Sequence, residues 1–300
     1  MYPSTSQIPT IHEKDGTRKM LDLTIKAEGP LTANPVTAAE EIPSFVSIVN
    51  AAIAAAPQGE AQANSVVVQP GGKTFSTITD ALNSITDAKL QKQYVVQIGP
   101  GTYNEVVVCK PYVFLTGAGV SVTTITAPAS SQQWNKGTVK AASNSAVQNV
   151  SIRSVGQTWG DWATAVDCTA AVNFDIENCD LEANGNDGTN MVTLAVDYSS
   201  VGGGSQINVA YTMIGAHGTS GVSGILAYAR AYVHIMDSKI VADTSSSAWG
   251  ASASNGSTLD LYGSTVAGAM SLVLADSSAH ITATGCTLVG PYSPGVVVNP

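Results

Sequence analysis

The sequence contains few charged residues, few aromatic residues and few cysteines. Charged residues make up 12% of the 300 residues, aromatic residues make up 6%, and the four cysteines show no CxxC spacing. A zinc site is therefore disfavoured, and buried free thiols are expected at Cys109, Cys168, Cys179 and Cys286. The carboxylates form no compact calcium loop, and no glycine-rich turn is followed by the Lys-Ser or Lys-Thr of a phosphate loop. We therefore predict neither a metal ion nor a cofactor.

Long apolar runs are missing as well, and negative charge is unevenly distributed. No stretch approaches a membrane span, and residues 1–10 lack the basic start and apolar run of a signal peptide. Residues 161–300 hold twelve acids and two bases, whereas the first 160 residues hold ten acids and eleven bases. The acidic half should repel nucleic acid, or it simply keeps a β surface soluble. We predict no membrane partner and no nucleic-acid partner.

A strand-like pattern of large and small residues recurs six times in the second half of the chain. Its anchors are spaced 29, 33, 26, 26 and 22 residues apart, and a second apolar position lies five residues before each anchor. Small residues or Val150 stand two positions before each anchor, as a tightly stacked corner requires. The anchors are Ile152, Leu181, Ile214, Ile240, Val266 and Leu288.

These spacings predict an all-β solenoid, a parallel β-helix whose coils stack about 4.8 Å apart. We predict two parts, an N-terminal arm with a capping helix over residues 1–62 and the β-helix over residues 63–300. Apolar residues at helical spacing within 37–56 predict the helix, which would cover the open end of the stack. Docking of a partner by this arm is the alternative. A further short helix should begin near Thr77, with Asp80 completing a capping box.

Residues 65–126 resemble the opening of the pectin methylesterases in order and spacing. The matching segments are Val66-Val-Val-Gln-Pro-Gly-Gly, Phe75-Ser-Thr-Ile-Thr-Asp-Ala-Leu, Tyr94-Val-Val-Gln-Ile-Gly-Pro-Gly-Thr-Tyr-Asn-Glu-Val-Val-Val108, Phe114-Leu-Thr-Gly-Ala-Gly119 and Thr123-Thr-Ile-Thr126. The resemblance implies a right-handed parallel β-helix with an N-terminal helical cap. These segments build structure and hold none of the family's catalytic groups, so they do not imply the reaction.

The catalytic groups that the resemblance implies are not matched. The family hydrolyses a methyl ester with an aspartate nucleophile, an aspartate acid, glutamines at the oxyanion and an orienting arginine. Asn178-Cys179 stands where the family has Gln-Cys, and Asp187 matches the acid only if the register slips by one residue. Residues 221–228 contain no aspartate for the nucleophile, and Arg230 is the only arginine after residue 160. We predict no catalytic residue of the esterase type.

Two long coils carry a candidate binding site. Added length around residues 153–163 and 182–191 should protrude as loops, and tryptophans beside carboxylates and amides suit the apolar face and hydroxyls of a sugar. The tryptophans would otherwise only cover the side of the stack. The predicted glycan-binding residues are Trp159, Asp161, Trp162, Asn178, Asn186 and Asp187.

Three functions remain open at this point. The first is a non-catalytic pectinesterase-like module that binds a polysaccharide or another glycan, outside the cell or on a virion or cell surface. The second is a carbohydrate esterase or depolymerase with a relocated carboxylate site, for which Asp161, Asp167, Asp187 and Asp197 are candidates if two lie roughly 5 to 10 Å apart. The third is an assembly protein that forms homo-oligomers or larger assemblies through residues 1–56.

Overall fold

The computed structural model describes residues 10–12, 18–20, 64–72, 74–129, 136–156, 160–185, 189–198, 205–219, 221–243 and 247–300. The chain divides into two compact units, Met1–Pro57 and Gln58–Pro300. In the first unit, β1 (Thr10–His12) pairs antiparallel with β2 (Arg18–Met20). The helix predicted within residues 37–56 lies outside the described residues. No helix among the described residues is long and apolar enough to cross a membrane.

The second unit consists of three parallel sheets. The first sheet has ten strands. In chain order they are β3 (Ser65–Val68), β4 (Tyr94–Ile98), β7 (Val113–Gly117), β10 (Ser145–Gln148), β14 (Phe174–Glu177), β17 (Ser205–Ala210), β20 (Ala231–Met236), β23 (Thr258–Tyr262), β26 (His280–Thr284) and β28 (Val297–Asn299).

The second and third sheets follow the first sheet around each coil. The second sheet contains β5 (Gly101–Asn104), β8 (Thr123–Ala129), β11 (Ser151–Gly156), β15 (Asp180–Asn184), β18 (Met213–His217), β21 (Lys239–Asp243), β24 (Thr265–Ala267) and β27 (Thr287–Val289). The third sheet contains β6 (Val107–Val108), β9 (Val139–Lys140), β13 (Val166–Asp167), β16 (Asn190–Asp197), β19 (Val222–Tyr228), β22 (Ala248–Ala253) and β25 (Met270–Leu274), and β12 (Trp162–Ala163) pairs with β16.

The register of the sheets confirms the predicted repeat. The six anchors pair with one another from β11 to β27 in the second sheet, and the apolar positions five residues earlier pair from β10 to β26 in the first sheet. The side chains at these paired positions lie on one face of each strand, because successive residues of a strand point to opposite faces. They pack into one continuous core. The chain thus forms the predicted right-handed parallel β-helix.

The small residues before the anchors form the corner between the first and second sheets. The hydroxyl oxygen of Thr212 accepts a bond from the Cys179 N–H at 3.3 Å, Ser238 accepts from the Thr212 N–H at 3.2 Å, and Ser264 accepts from the Ser238 N–H at 3.1 Å. These hydroxyls satisfy buried backbone groups at a turn where strand pairing is interrupted. The predicted corner is therefore confirmed.

One short helix, α1 (Ile78–Ser84), packs against the N-terminal coils. The Thr77 hydroxyl accepts a bond from the Asp80 N–H at 3.0 Å, as predicted for the N-cap. The first-turn N–H groups of Ile78 and Thr79 donate to the carboxylate of Glu105, at 2.8 and 2.9 Å. Ile78, Ala81 and Leu82 are buried on the core side. The carboxylate of a neighbouring coil therefore fixes the start of this helix.

Candidate functional site

The outer face of the third sheet carries the strongest candidate site. One row of aligned positions crosses the sheet, and we refer to it as the outer row. The neighbouring row, which includes Val166, Leu194 and Ile225, lies in the core, so the outer row points away from it. The outer row consists of Val108, Lys140, Asp167, Ala195, Leu226, Ser252 and Val273.

The C-terminal part of this face contains a largely apolar cavity of about 340 Å³, which we refer to as the tryptophan pocket. Trp162 from β12 and Trp249 from β22 both line it. Trp249 is 38% exposed, and Trp162 is half-buried. Besides the two indoles, the lining residues include Val192, Ser223, Leu226, Ser247 and Ser252. The two indoles offer flat apolar surface to a ligand. The hydroxyls of Ser223 and Ser252 already donate to the Ile225 carbonyl, at 2.9 and 3.2 Å, so they can offer a ligand only an acceptor.

The N-terminal part contains a second cavity of about 580 Å³, which we refer to as the Asp167 pocket. Lys136, Lys140, Thr138 and Ser154 line it together with apolar side chains. Asp167 itself is fully buried, and one of its oxygens, Oδ1, accepts a bond from the Thr169 N–H at 2.9 Å. The other oxygen, Oδ2, has no hydrogen-bond partner within the described part of the chain.

Burial raises the pKa of the Asp167 carboxyl above its ordinary value. The hydrogen bonds from Thr169 and the charges of Lys140 and Lys136 act in the opposite direction without cancelling the effect. In the outer row, Asp167 lies next to Lys140 of the paired strand β9. Leu226 of the tryptophan pocket lies two strands away from Asp167 in the other direction, at about 10 Å. The two pockets therefore lie on one face at the spacing of a short oligomer.

Only part of the predicted binding site can be located. Trp162 lines the tryptophan pocket, and Asp161, immediately before β12, is buried while its carbonyl accepts a bond from the Asn190 N–H at 2.9 Å. Trp159, Asn186 and Asp187 lie outside the described residues.

Asn178 is not part of either pocket. It lies in the turn between the first and second sheets with a φ of 48°, and its side-chain N–H donates to the Asn149 oxygen at 2.7 Å. Asn178 lines a different surface depression, together with Tyr211 and Lys239. The structure does not bring Asn178 and Trp162 together.

Sequence reasoning missed Trp249 and the lysines of the Asp167 pocket. Val192, Ser223 and Trp249 occupy equivalent positions in three successive coils. Ser223 and Trp249 both lie nine residues after an anchor, so the register of the anchors would have aligned these two positions without giving the face on which they lie. Asp167 was one of several candidate carboxylates, and its burial is not apparent from sequence.

Ionisable groups on the described outer face do not form the aspartate and arginine pair of a methylesterase. Strand β19, which covers the stretch expected to hold the nucleophile, contains no carboxylate. Arg153 forms salt bridges with Asp180 and Glu182 of the second sheet, and Arg230 lies exposed in the turn between β19 and β20. Among the described residues, no group of three His, Cys, Asp or Glu side chains could hold a metal ion.

Comparison with known proteins agrees with this architecture. The family model described as Pectinesterase matches residues 64–184, which is less than half of the chain. No curated protein matches the sequence significantly. The chain therefore has the pectin methylesterase type of parallel β-helix, and its described outer face departs from the catalytic pattern of that type.

Solved structures show the same fold at low sequence identity. A pectin methylesterase from Erwinia chrysanthemi is 15% identical, with a TM-score of 0.54 over 75% of this chain and 80% of that chain. The pectin methylesterase from carrot is 14% identical, with a TM-score of 0.52 over 78% and 88%. A pectin methylesterase in complex with a hexasaccharide is 14% identical, with a TM-score of 0.54 over 75% and 80%.

Proposed function

We propose that this protein is a non-catalytic glycan-binding β-helix that acts outside the cell or on a virion or cell surface. The observation that carries the proposal is the tryptophan pocket, in which Trp162 and Trp249 flank serine hydroxyls on the outer face of the third sheet. Aromatic rings cover the apolar face of a sugar while nearby hydroxyls bond to its polar edge. A structural neighbour in complex with a hexasaccharide supports a saccharide ligand for this fold.

The groups available for chemistry support the proposed lack of esterase activity. The pectin methylesterases that the chain resembles use an aspartate nucleophile oriented by an arginine. The described outer row offers one carboxylate, Asp167, and it contains no arginine. The arginines nearest in sequence pair with the second sheet or lie in a turn. Methylated pectin incubated with the protein should therefore release no methanol above the buffer rate.

Glycan binding is tested by replacing the indoles one at a time. Trp162→Ala and Trp249→Ala should each weaken binding on a glycan array and in calorimetry about fivefold, since one aromatic stacking contact is worth about 1 kcal/mol. Tyr262→Ala is the matched control, because Tyr262 is 41% exposed on the first sheet and lines neither pocket. Binding that survives both tryptophan substitutions unchanged would contradict the proposal.

One observation favours a second candidate, a carbohydrate-active enzyme with a relocated acid. The carboxyl of Asp167 has a raised pKa and a free oxygen in a cavity, which are the properties of a general acid. Product release from pectin or from a bacterial polysaccharide, abolished by Asp167→Asn, would favour the enzyme. Assembly through residues 1–56 would instead appear as a change of oligomer mass in light scattering when those residues are deleted.

A further inference from the structure

The free oxygen of Asp167 calls for a hydrogen-bond donor that the described chain does not supply. Asp167 is fully buried, its Oδ1 is bonded to the Thr169 N–H, and its Oδ2 has no partner among the described residues. Buried polar atoms in folded proteins are almost always bonded, because leaving one bare costs free energy. Since Asp167 lines a cavity, a ligand in that cavity can provide the missing donor.

The charges around the cavity restrict what this ligand can be. Lys136 and Lys140 line the same cavity, so a metal ion or an ammonium group would meet two positive charges. An anion would satisfy the lysines but would lie against the Asp167 carboxylate and leave the need of Oδ2 unmet. A neutral group that places one donor beside one acceptor satisfies both kinds of side chain at once.

The apolar lining restricts the ligand further. Val106 and Val108 line the cavity and are 53% and 58% exposed, and Ala127 and Pro128 line it as well. Val108 is the neighbour of Lys140 on the outer row, so apolar surface lies directly beside the ammonium group. A ligand that also carries a small apolar group would cover this surface and gain from its removal from water.

We propose that the Asp167 pocket binds the acetamido group of an N-acetylated sugar. The amide N–H donates to Oδ2 of Asp167, the carbonyl oxygen accepts from Lys140, and the methyl group packs against Val108 and Pro128. The inference rests on the proposed glycan-binding function and deepens it, since the tryptophan pocket about 10 Å away would hold another part of the same glycan.

The experiment uses matched pairs of oligosaccharides that differ only in N-acetylation, measured on an array and by calorimetry with the full chain. The wild-type protein should bind the acetylated member of a pair at least about tenfold more tightly, because the preference depends on a hydrogen bond to a charged group. Asp167→Asn should abolish this preference, since its amide presents a donor where the ligand requires an acceptor. The residual affinity for the unacetylated member should remain dependent on Trp162 and Trp249.

Two further variants separate this inference from a folding defect. Lys140 is exposed, so Lys140→Met should leave the fold intact and reduce the preference for the acetylated member severalfold. Asp175→Asn changes an exposed aspartate of the first sheet and should change no affinity. Glycan binding without any N-acetyl preference, or with a preference that Asp167→Asn leaves intact, would overturn this inference alone. If the protein binds no member of any pair, both this inference and the proposed function are overturned.

Discussion

Asp167 shows how the parallel stack can hold a carboxyl group away from water. Its strand lies between β9 and β16, so its backbone is paired on both sides, while the side chain leaves the core into a cavity rather than into solvent. Burial raises its pKa because the ionised form loses hydration. The lysines that line the cavity are too few to offset that loss.

Asp167→Asn should therefore change the pH dependence of stability. A carboxyl whose pKa is raised by folding stabilises the native state fully below its ordinary pKa of about 3.9, and this contribution is lost as the pH rises through the folded-state pKa. The asparagine variant lacks this loss. The melting temperature of the variant minus that of wild type should therefore increase from pH 4 to pH 7. Thermal melts over this range measure the difference.

Asp276 provides a control of opposite sign. Hydrogen bonds from Ser278 and from the Asn255 N–H lower the pKa of Asp276, so its contribution is present above its ordinary pKa and is lost as the pH falls. Asp276→Asn should be less stable than wild type, and this difference in stability should be larger at pH 7 than at pH 4. A difference between wild type and Asp167→Asn that stays constant with pH would contradict the role of burial at Asp167.

Three of the four cysteines are buried free thiols, as the sequence predicts, and Cys286 is not fully buried. Cys109, Cys168 and Cys179 are buried and unpaired, and Cys286 is half-buried. Burial raises the pKa of the Cys109 and Cys179 thiols to about 12. At neutral pH such thiols contain almost no thiolate, which is the reactive species. Their place in the structure is that of small core residues, as at the corner position of Cys179.

At the scale of elements, the strands of the first two sheets were predictable and the third sheet was not. The anchors alternate with polar residues, so their register and their core-facing direction follow from a period of two. Strand β16 is instead buried at every position after Asn190, which leaves no alternation to read. Strand β22 is likewise buried at every position except Trp249, so the outward direction of Trp249 does not follow from a period of two.

The candidate site was predicted only in part for a related reason. Trp162 lines the tryptophan pocket, and its predicted role in glycan binding stays a prediction. The predicted role of Asn178 rests on its position in the family motif, but its left-handed backbone and its bond to Asn149 belong to a stacked turn. Asparagine tolerates this conformation better than most residues. A single coil read alone does not distinguish an amide that supports a turn from one that binds a sugar.

The start of α1 allows a prediction at the scale of an element. Glu105→Ala removes the acceptor of two first-turn N–H groups, which lack partners within the helix. We expect a loss of about 1 to 3 kcal/mol, or a fall in melting temperature of about 3 to 10 °C for a unit of this size. Chemical and thermal unfolding measure the loss. Glu177→Ala, at an exposed position of β14, should change stability by less than about 0.5 kcal/mol, and equal losses would refute the anchoring role.

At the scale of the whole molecule, the stack should tolerate the removal of one complete coil. Ile214, Ile240 and Val266 pair in register at intervals of 26 residues, and Val192, Ser223 and Trp249 keep register in the third sheet. Deleting residues 215–240 joins Ile214 to Val241, which takes the place of Gly215 opposite Glu182. The strands β21, β22 and β23 then replace β18, β19 and β20 against the preceding coil.

The shortened protein should fold, because each coil of a solenoid contacts only its neighbours and stability is roughly a sum over coils and interfaces. We expect a retained β-sheet circular dichroism spectrum and a cooperative melt at a lower temperature than wild type. Deleting residues 215–227 removes half as many residues but shifts every later strand out of register, so a core face meets an outer face. This shorter deletion should aggregate or fail to melt cooperatively. If the loss of 26 residues is as damaging as the loss of 13, then the coils do not act as interchangeable units.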